Sequence, residues 1–379
     1  MRYYIIAGEA SGDLHGSNLI KAIKAEDPQA EIRAWGGDLM EGAGAQIVKH
    51  YRDLAFMGFV EVLANLRTIL RNMDFCKKDI TEFAPDAIIM IDYPGFNLRI
   101  AKWASPIGYK VLFYISPQVW AWKAKRVHSI KQHVDQLYTI LPFEEAFYAK
   151  YDYPVKYVGH PLLDALVDYH VPKYFRKQNE LPELPLIALL PGSRRQEIKK
   201  MLHQMLSVAP HFPGYHFVVA AAPSMPRSFY QEILDKHPSG NVVSVIEGQT
   251  YHLVSSAQAA LVTSGTATLE TALLNTPEVV CYRGNSISYL IARQLINIKY
   301  ISLVNLIMDQ PLVTELIQHD LQESKLVKEL QAILKEPGRS NMLNGFARLR
   351  EKLGNAGASA RTAKAMIDFL KNTAQENKS

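Results

Sequence analysis

Residues 186–197 have the sequence LIALLPGSRRQE, and this stretch decides the fold. The apolar residues 186–190 form a run that is typical of a buried strand, and a helical pattern opens at Glu197. A short loop with Gly192 lies between them. Apolar strands separated by helical stretches imply a parallel sheet with right-handed crossovers, so this stretch predicts an α/β protein.

The strand pattern recurs on both sides of this stretch. Further apolar runs are found at 3–7, 87–91, 111–115, 136–140, 216–221, 242–246, 259–263 and 279–282. A charged stretch with prolines, residues 171–185, interrupts the series. We therefore predict two doubly wound, Rossmann-like parallel-sheet lobes at 1–172 and 173–345, followed by a helical segment at 346–379.

Length and composition limit the class of protein. The 379 residues exceed the usual size of a single hydrophobic core, which agrees with two domains. A net charge of +5 is too weak to indicate nucleic acid, but it suits an anionic substrate or surface. Cys76 and Cys281 cannot make a disulfide framework, so we expect a reducing compartment. Without a signal-peptide pattern or an apolar stretch of about 18 residues, any membrane contact is expected to be peripheral.

The loop PGSRR at 191–195 combines glycine with basic residues after a strand. Open α/β sheets bind ligands at the carboxyl ends of their strands. Gly192 permits close approach of the backbone, and Ser193 and Arg194 lie at the start of a helix whose free N–H groups suit phosphate oxygens. The alternative is a helix cap with solvated arginines.

A second loop of this kind has the sequence SGTATLE at 264–270. Ser264 is expected to cap a helix, and Gly265 keeps the backbone accessible. Thr266 and Glu270 lie one turn apart on a single helix face, which could hold a phosphate at its end and a ribose diol at Glu270. An ordinary N-cap is the alternative. Two such loops in one lobe together indicate a nucleotide diphosphate.

The loop after the first strand has the sequence GEASGD at 8–13. It lacks the Gly-Lys-Ser/Thr ending of a P-loop and the glycine spacing of a dinucleotide-binding loop, which weakens the NTPase and dehydrogenase hypotheses. One interpretation is a rim of polar groups that faces a cleft between the lobes. The other is a tight turn in which Asp13 is a cap.

The stretch IDYPGFN at 91–97 places a carboxylate, Asp92, at the end of a buried strand. A carboxylate in that position could accept a proton from an acceptor hydroxyl. An aspartate turn before Pro94 is the structural alternative. His160, in GHP at 159–161, is expected to be structural.

Two segments of the first lobe suit a lipid surface. Between Pro94 and Val134 the chain has seven Lys or Arg residues and three Trp residues but no acidic residue. This pattern suits an anionic membrane interface or a phosphorylated amphiphile, and solvated surface with core tryptophans is the alternative. The stretch 56–73 predicts a broad apolar helix, which either packs in the core or contacts acyl chains.

Eight strings together resemble the lipid-A-disaccharide synthase family over nearly the whole chain. They are GEASGD (8–13), MGFVEVL (57–63), IDYPGFN (91–97), SPQVWAWK (116–123), GHP (159–161), LPGSR (190–194), SGTATLE (264–270) and ISLVN (301–305). The resemblance implies the two-lobed glycosyltransferase B fold, with a C-terminal helix that returns to the first lobe. The sequence leaves open whether this helix docks in its own chain or swaps into a partner in a homodimer. The resemblance further implies transfer of 2,3-diacylglucosamine from UDP to the 6-hydroxyl of 2,3-diacylglucosamine 1-phosphate, with inversion.

The resemblance also implies roles for matching residues, with Asp92 as the catalytic base. On the acceptor and lipid side the matching residues are Gly8, Glu9, Ser11, Gly12, Asp13, Met57, Glu61 and Asn65. On the UDP-sugar side they are Ser193, Arg194, Ser264, Gly265, Thr266, Glu270 and Asn305. This chain has Val304 where similar sequences often have proline before the asparagine.

No metal and no cofactor is expected, because the UDP-sugar is itself a substrate and helix dipoles can meet the charge of the leaving group. The enzyme is expected in the cytoplasm, on the inner leaflet of the inner membrane, without nucleic acid. Two other hypotheses stay open. One is a UDP-N-acetylglucosamine 2-epimerase or another UDP-sugar glycosyltransferase of this fold, which does not need the apolar helix. The other is a non-catalytic lipid or nucleotide carrier.

Overall fold

The computed structural model describes residues 1–54, 66–122, 124–167, 169–284 and 299–376. The strands in these ranges are β1 Arg2–Ala7, β2 Glu31–Gly36, β3 Gln46–His50, β4 Ala87–Ile91, β5 Lys110–Tyr114, β6 Gln136–Thr139, β7 Lys156–Tyr157, β8 Leu186–Leu190, β9 His216–Ala221, β10 Val243–Glu247, β11 Ala257–Thr263, β12 Glu278–Tyr282 and β13 Thr314–Ile317. The helices are α1 Ala10–Glu26, α2 Asp38–Gly42, α3 Leu66–Phe83, α4 Pro94–Ala104, α5 Val119–Trp122, α6 Arg126–His133, α7 Glu144–Ala149, α8 Pro161–Leu166, α9 Phe175–Gln178, α10 Arg195–Leu206, α11 Arg227–Leu234, α12 Thr250–Ser256, α13 Thr266–Leu273, α14 Leu303–Met308, α15 Glu323–Leu334, α16 Gly338–Leu353 and α17 Ala358–Glu376.

The chain divides into two compact units. Met1–Val167 forms the first unit together with the segment that starts at Gly354, and the second unit ends at Leu353. The predicted lobe boundaries at 172 and 345 differ from these positions. Helix α16 belongs entirely to the second unit because it packs on α14 and α15. The first unit is therefore discontinuous in sequence.

Both units contain one parallel sheet. Seven strands of the first unit have the order β3-β2-β1-β4-β5-β6-β7, and six strands of the second have the order β10-β9-β8-β11-β12-β13. Alternate residues of β1 enter different apolar clusters, with Tyr4 in one and Tyr3 in the other. The sheet is thus buried on both faces, as parallel sheets require. The predicted class, two doubly wound parallel-sheet lobes, is confirmed.

Each sheet has one point at which the strand order reverses. From β1 the chain runs outward to β2 and β3 and then returns to β4 on the other side of β1, and β8 has the same relation to β11. Because β1 pairs with β4 and β8 with β11 in parallel, the loops that follow each pair leave the sheet side by side. Open α/β sheets bind ligands at such switch points. The four loops with unusual sequences follow these four strands.

The C-terminal helix α17 packs on α1 and α8 of the first unit. Four of its residues are buried in the apolar cluster that includes Tyr3, namely Ala363, Met366, Ile367 and Leu370. The carboxylate of Asp164 in α8 accepts the backbone N–H of Gly357 and, at 3.1 and 2.8 Å, those of the next two residues. The first N–H groups of a helix have no partner within it, so Asp164 fixes where α17 begins.

Candidate active site

The first candidate site lies at the switch point between β1 and β4. Asp92 follows β4 directly, and both Asp92, with φ +44°, and Tyr93, with φ +49°, have left-handed backbone. Residues other than glycine rarely adopt this conformation, which costs on the order of 1–3 kcal/mol at each position. Backbone strain of this kind is concentrated where a side chain has to be aimed. The residue so held is the one that the sequence predicts as the base.

The side chain of Asn97 holds the Asp92 turn in place. It is fully buried, and its Nδ2 donates to the carbonyl oxygen of Asp92 at 2.7 Å. The same nitrogen lies 3.4 Å from the carbonyl oxygens of Ile6 and Ile91. Its backbone N–H donates to the carbonyl of Tyr93 at 3.0 Å. Asn97 therefore joins the ends of β1 and β4 and fixes the backbone from which Asp92 projects.

The environment of Asp92 changes the pKa of its carboxyl group. Desolvation by burial, followed by the nearby carboxylate of Glu9, raises the pKa of Asp92 to about 7, while the backbone N–H of Tyr93 opposes the shift. The residue keeps some exposed surface, so a substrate hydroxyl can reach it. A general base is most effective when its pKa lies close to the working pH. The site thus meets the electrostatic requirement for proton abstraction near neutral pH.

The sequence predicts that GEASGD is a loop, but α1 begins at Ala10, so residues 10–13 of the motif are helical. Asp13 is buried in the first turn of α1, where its carboxylate accepts three backbone N–H groups. The donors are Gly37 at 2.8 Å, Leu39 at 3.2 Å and Met40 at 3.0 Å. Asp13 is therefore the cap of α2, a neighbouring helix, rather than of its own turn.

The other residues predicted on the acceptor side differ in exposure. Glu9 is the N-cap residue of α1 and is partly exposed, and Ser11 is exposed in the first turn. Gly8 and Gly12 are buried. Met57, Glu61 and Asn65 lie outside the described residues.

The second candidate site lies at the switch point between β8 and β11. After β8, Gly192 has φ +104°, and the carboxylate of Glu197 accepts the backbone N–H of Ser193 at 3.3 Å. Arg194 is exposed and is the N-cap residue of α10. The hydrogen bond to Glu197 holds the backbone of the loop, and the side chains of Ser193 and Arg194 are exposed, as a phosphate site requires.

After β11, Ser264 does not cap α13 as predicted. The N-cap residue is Gly265, with φ +157°, and apart from its chain neighbours no atom of the described residues lies within 4 Å of where its Cβ would be. The Ser264 hydroxyl donates instead to the carbonyl oxygen of Ile301 at 2.9 Å. Since Gly265 and Thr266 are exposed, the first N–H groups of α13 are open to an anion.

Glu270 lies one turn after Thr266 on α13, as the sequence predicts. Its carboxylate accepts a hydrogen bond from the Tyr251 hydroxyl at 3.1 Å. Burial raises the pKa of Glu270, and the bond from Tyr251 opposes this rise. A carboxylate has room for more than one donor, so Glu270 keeps capacity for a ribose hydroxyl.

Asn305 is buried, and its amide is used within the protein. Nδ2 donates to the carbonyl oxygen of Val313 and to Glu315 Oε1, both at 2.9 Å, and Oδ1 accepts the backbone N–H of Val313 at 2.9 Å. The contact with the UDP-sugar that was predicted for Asn305 stays a prediction. No sequence pattern indicates Glu315, because it is a single glutamate in an edge strand.

In the ranges that the structure describes, no three His, Cys, Asp or Glu side chains are grouped so that they could hold a metal ion. No helix in the same ranges is long and apolar enough to cross a membrane.

Solved structures with the same architecture define the class. A UDP-GlcNAc 2-epimerase from Neisseria meningitidis, solved with UDP-GlcNAc bound, matches with a TM-score of 0.68 at 15% identity, covering 97% of this chain and 100% of that one. The calicheamicin glycosyltransferase matches with a TM-score of 0.58 at 14% identity, covering 98% and 99%. At these identities the likeness shows the fold alone. The chain has the glycosyltransferase B fold.

Sequence comparisons identify the family. The lipid-A-disaccharide synthetase family model matches residues 3–367. The lipid-A-disaccharide synthase of Syntrophus aciditrophicus is 39% identical over 374 residues, and that of Myxococcus xanthus is 35% identical over 377, each alignment covering 97% of both chains. The chain belongs to the lipid-A-disaccharide synthase family and is a glycosyltransferase. The predicted family is confirmed.

Proposed function

We propose that the chain transfers 2,3-diacylglucosamine from UDP-2,3-diacylglucosamine to the 6-hydroxyl of 2,3-diacylglucosamine 1-phosphate, with inversion. The products are a β-1,6 tetraacyl disaccharide 1-phosphate and UDP. The observation that carries this proposal is Asp92, which lies at a switch point on strained backbone with its pKa raised to about 7. Family membership supports the choice of substrates.

The second unit would hold the donor. The exposed N-terminus of α13 at Gly265 and Thr266 offers N–H groups and a positive helix end to the diphosphate. Arg194 adds a planar, permanently charged donor, and Glu270 would accept the ribose hydroxyls. As UDP leaves, negative charge grows on the diphosphate, and groups already aimed at it stabilise that charge. In this mechanism the chain's own residues stabilise the leaving group, without a metal or cofactor.

The first unit would activate the acceptor. Asp92 takes the proton from the 6-hydroxyl as its oxygen attacks the anomeric carbon, and the bond from that carbon to UDP breaks with its electron pair. A single displacement inverts the anomeric configuration. Asn97 contributes by fixing the turn that carries Asp92, through a bond of 2.7 Å to the Asp92 carbonyl.

We also propose that the first unit associates with the inner leaflet of the inner membrane, from the cytoplasmic side. In the segment between Pro94 and Val134, which has no acidic residue, Arg99, Lys102 and Lys125 are exposed. Lys110 of the same segment forms an ion pair with Asp135 at 3.4 Å. On α3, Leu70 and Phe75 are also exposed. Exposed cations and exposed apolar side chains in one unit suit an anionic lipid surface. A homodimer formed by exchange of α17 stays one of the two alternatives that the sequence leaves open.

Liposome flotation tests the membrane proposal. Charge reversal of Lys125 and Arg126 together with Lys123, which lies outside the described residues, should reduce binding to anionic vesicles. Reversal of the exposed Lys236, which pairs with Glu232 in the second unit, is the control. Unchanged flotation of the triple variant would contradict the proposal.

Product analysis by mass spectrometry tests the reaction. The purified chain is incubated with both diacylglucosamine substrates, and a tetraacyl disaccharide 1-phosphate with an equal amount of UDP is the expected result. A parallel incubation with UDP-N-acetylglucosamine alone tests the epimerase alternative, which would change the sugar without releasing a disaccharide. Ligand binding with no product in either incubation would favour a carrier.

A further inference from the structure

Glu315 accepts four hydrogen bonds from one short segment of chain. It is the second residue of β13, and its Oε2 accepts the backbone N–H of Ile301 at 3.0 Å. Its Oε1 accepts the backbone N–H of Ser302 at 2.9 Å, the hydroxyl of Ser302 at 2.8 Å and the Asn305 amide at 2.9 Å. One carboxylate thus fixes the family string ISLVN.

The residues that Glu315 contacts are themselves locked. Ser302 is fully buried, and its Oγ also accepts the backbone N–H of Asn305 at 3.2 Å, which caps α14. The Asn305 amide exchanges two bonds of 2.9 Å with the backbone of Val313. Because each buried polar group has its partner, a shift of the segment would break several bonds together.

This network reaches the loop at the start of α13 through a single peptide group. The peptide between Ile301 and Ser302 donates its N–H to Glu315 at 2.9 Å, and its carbonyl oxygen accepts the hydroxyl of Ser264 at 2.9 Å. Ser264 immediately precedes Gly265, and its backbone N–H donates to the carbonyl oxygen of Cys281 at 3.2 Å. The hydroxyl bond to Ile301 is the side-chain restraint that joins this loop to the 301–305 segment.

We propose that Glu315 is a positioning residue for the diphosphate of the donor, acting through the Ile301–Ser302 peptide and Ser264. The proposal rests on the donor site of the proposed function. Backbone N–H groups bind an anion well only when they are held in the binding orientation before the anion arrives. Glu315 supplies this restraint from an edge strand, without contacting the ligand. The four bonds hold the ISLVN segment in place without requiring that it contact the ligand.

Glu315→Gln is the sharpest single change. The glutamine amide has the shape of the carboxylate, but its NH₂ group donates where a carboxylate oxygen accepts. Because each of the two oxygens of Glu315 accepts a backbone N–H, the NH₂ group would face a donor. The best arrangement keeps the amide oxygen at the Oε1 position and loses the bond from Ile301. We expect UDP, used as the probe in isothermal titration calorimetry, to bind about tenfold more weakly, with KM for the donor raised more than KM for the acceptor.

Thr314→Val is the matched control on the same strand. The Thr314 hydroxyl donates to Glu329 at 3.0 Å and has no bond to the 301–305 segment. This variant should bind UDP within about twofold of the original chain. Equal weakening in both variants would mean that any damage to β13 lowers affinity, and it would overturn the proposal.

Ser264 provides the second arm, which does not depend on whether Glu315→Gln folds. Ser264→Ala should weaken UDP binding, and Ser264→Thr, which keeps the hydroxyl, should restore most of it. In the double variant, Glu315→Gln should weaken UDP binding little beyond the effect of Ser264→Ala. Both substitutions interrupt the same chain of hydrogen bonds, which runs from Glu315 through the Ile301–Ser302 peptide to Ser264. Full additivity, or unchanged UDP binding in folded Glu315→Gln, would overturn the proposal. If the unaltered chain does not bind UDP at all, the donor site of the proposed function fails instead.

Discussion

The ring of Tyr93 lies across the backbone of Gly8, so that a Cβ atom at Gly8 would lie 2.5 Å from the ring atoms Cγ and Cδ1. The ring cannot move aside freely, because it stacks on Phe96 at 5.6 Å between centroids and extends from left-handed backbone. Gly8 therefore allows the turn at Asp92 and the end of β1 to approach each other.

Gly8→Ala should lower the free energy of unfolding by about 1–3 kcal/mol and reduce turnover, since relief of the clash moves Tyr93 and with it Asp92. Urea denaturation and steady-state kinetics measure the two effects. Gly95→Ala is the control, because in the described part of the chain nothing beyond its neighbours in sequence lies within 4 Å of its Cβ position. Equal effects of the two substitutions would show that the contact with Tyr93 is unimportant.

Asp92→Asn should lower turnover by about a hundredfold or more, because the amide cannot take a proton. UDP affinity should stay within about twofold, since UDP is expected to bind the second unit. Asp152→Asn is a suitable control, because Asp152 is an exposed aspartate with left-handed backbone, φ +50°. Near-normal turnover of Asp92→Asn would remove the base assignment.

The dependence of kcat/KM on pH should have a rising limb centred near pH 7, the value to which the pKa of Asp92 is raised. The base works when ionised, so activity falls as the pH drops through this value. Glu9→Gln removes a carboxylate that raises the pKa of Asp92, so the limb should move to lower pH. Burial, the larger cause, persists, which keeps the shift modest. If the rising limb of kcat/KM stays at the same pH in Glu9→Gln, Glu9 does not raise the pKa of Asp92.

Asp13→Ala should destabilise the first unit by about 1–3 kcal/mol, because three N–H groups at the start of α2 lose their acceptor. UDP affinity should not change. Ser11→Ala, an exposed position in the same turn, should leave the urea midpoint where it is. Raised acceptor KM with intact stability in Asp13→Ala would instead support the substrate contact that the resemblance implies.

Glu278 should make the second unit less stable as the pH rises. It is fully buried, and neither carboxylate oxygen has a hydrogen-bond partner among the described residues. Burial, and then the Glu315 carboxylate, raise the pKa of Glu278 well above 4.5. Above pH 4.5 the unfolded chain releases this proton while the folded chain keeps it, so stability falls between the two pKa values.

Glu278→Gln removes this ionisation. Its melting temperature should therefore exceed that of the unaltered chain by a margin that grows from pH 5 to pH 7, as calorimetry at several pH values would measure. Glu247→Gln, at an exposed position, is the control. A margin that does not vary with pH would contradict the assigned cause.

The interior strands other than β2 could be predicted from sequence because burial on both faces makes them continuous apolar runs, as at Leu186–Leu190. Four strands were missed: β2, β3, β7 and β13. Three of them are edge strands, and β7 has only two residues. Edge strands bury less surface, so their sequences carry less of the pattern.

The motifs predicted where the candidate sites lie, but not how they are built. Asp92 was found because it ends a buried strand. The capping of α2 by Asp13, the bond from Ser264 to Ile301 and the role of Glu315 join residues that are distant in sequence. Such pairings depend on tertiary packing and leave no local periodicity, so only the structure reveals them.

The hydrogen bonds between Asp164 and the start of α17 affect the order in which the two units fold during synthesis. The first unit cannot be completed when its own strands have emerged from the ribosome, because one of the helices that cover a face of its sheet is encoded after Leu353. The second unit is continuous, so all of it is available earlier. Domains generally fold as units during translation. In this chain the first unit is therefore the first to be synthesised in part and the last to complete its folding.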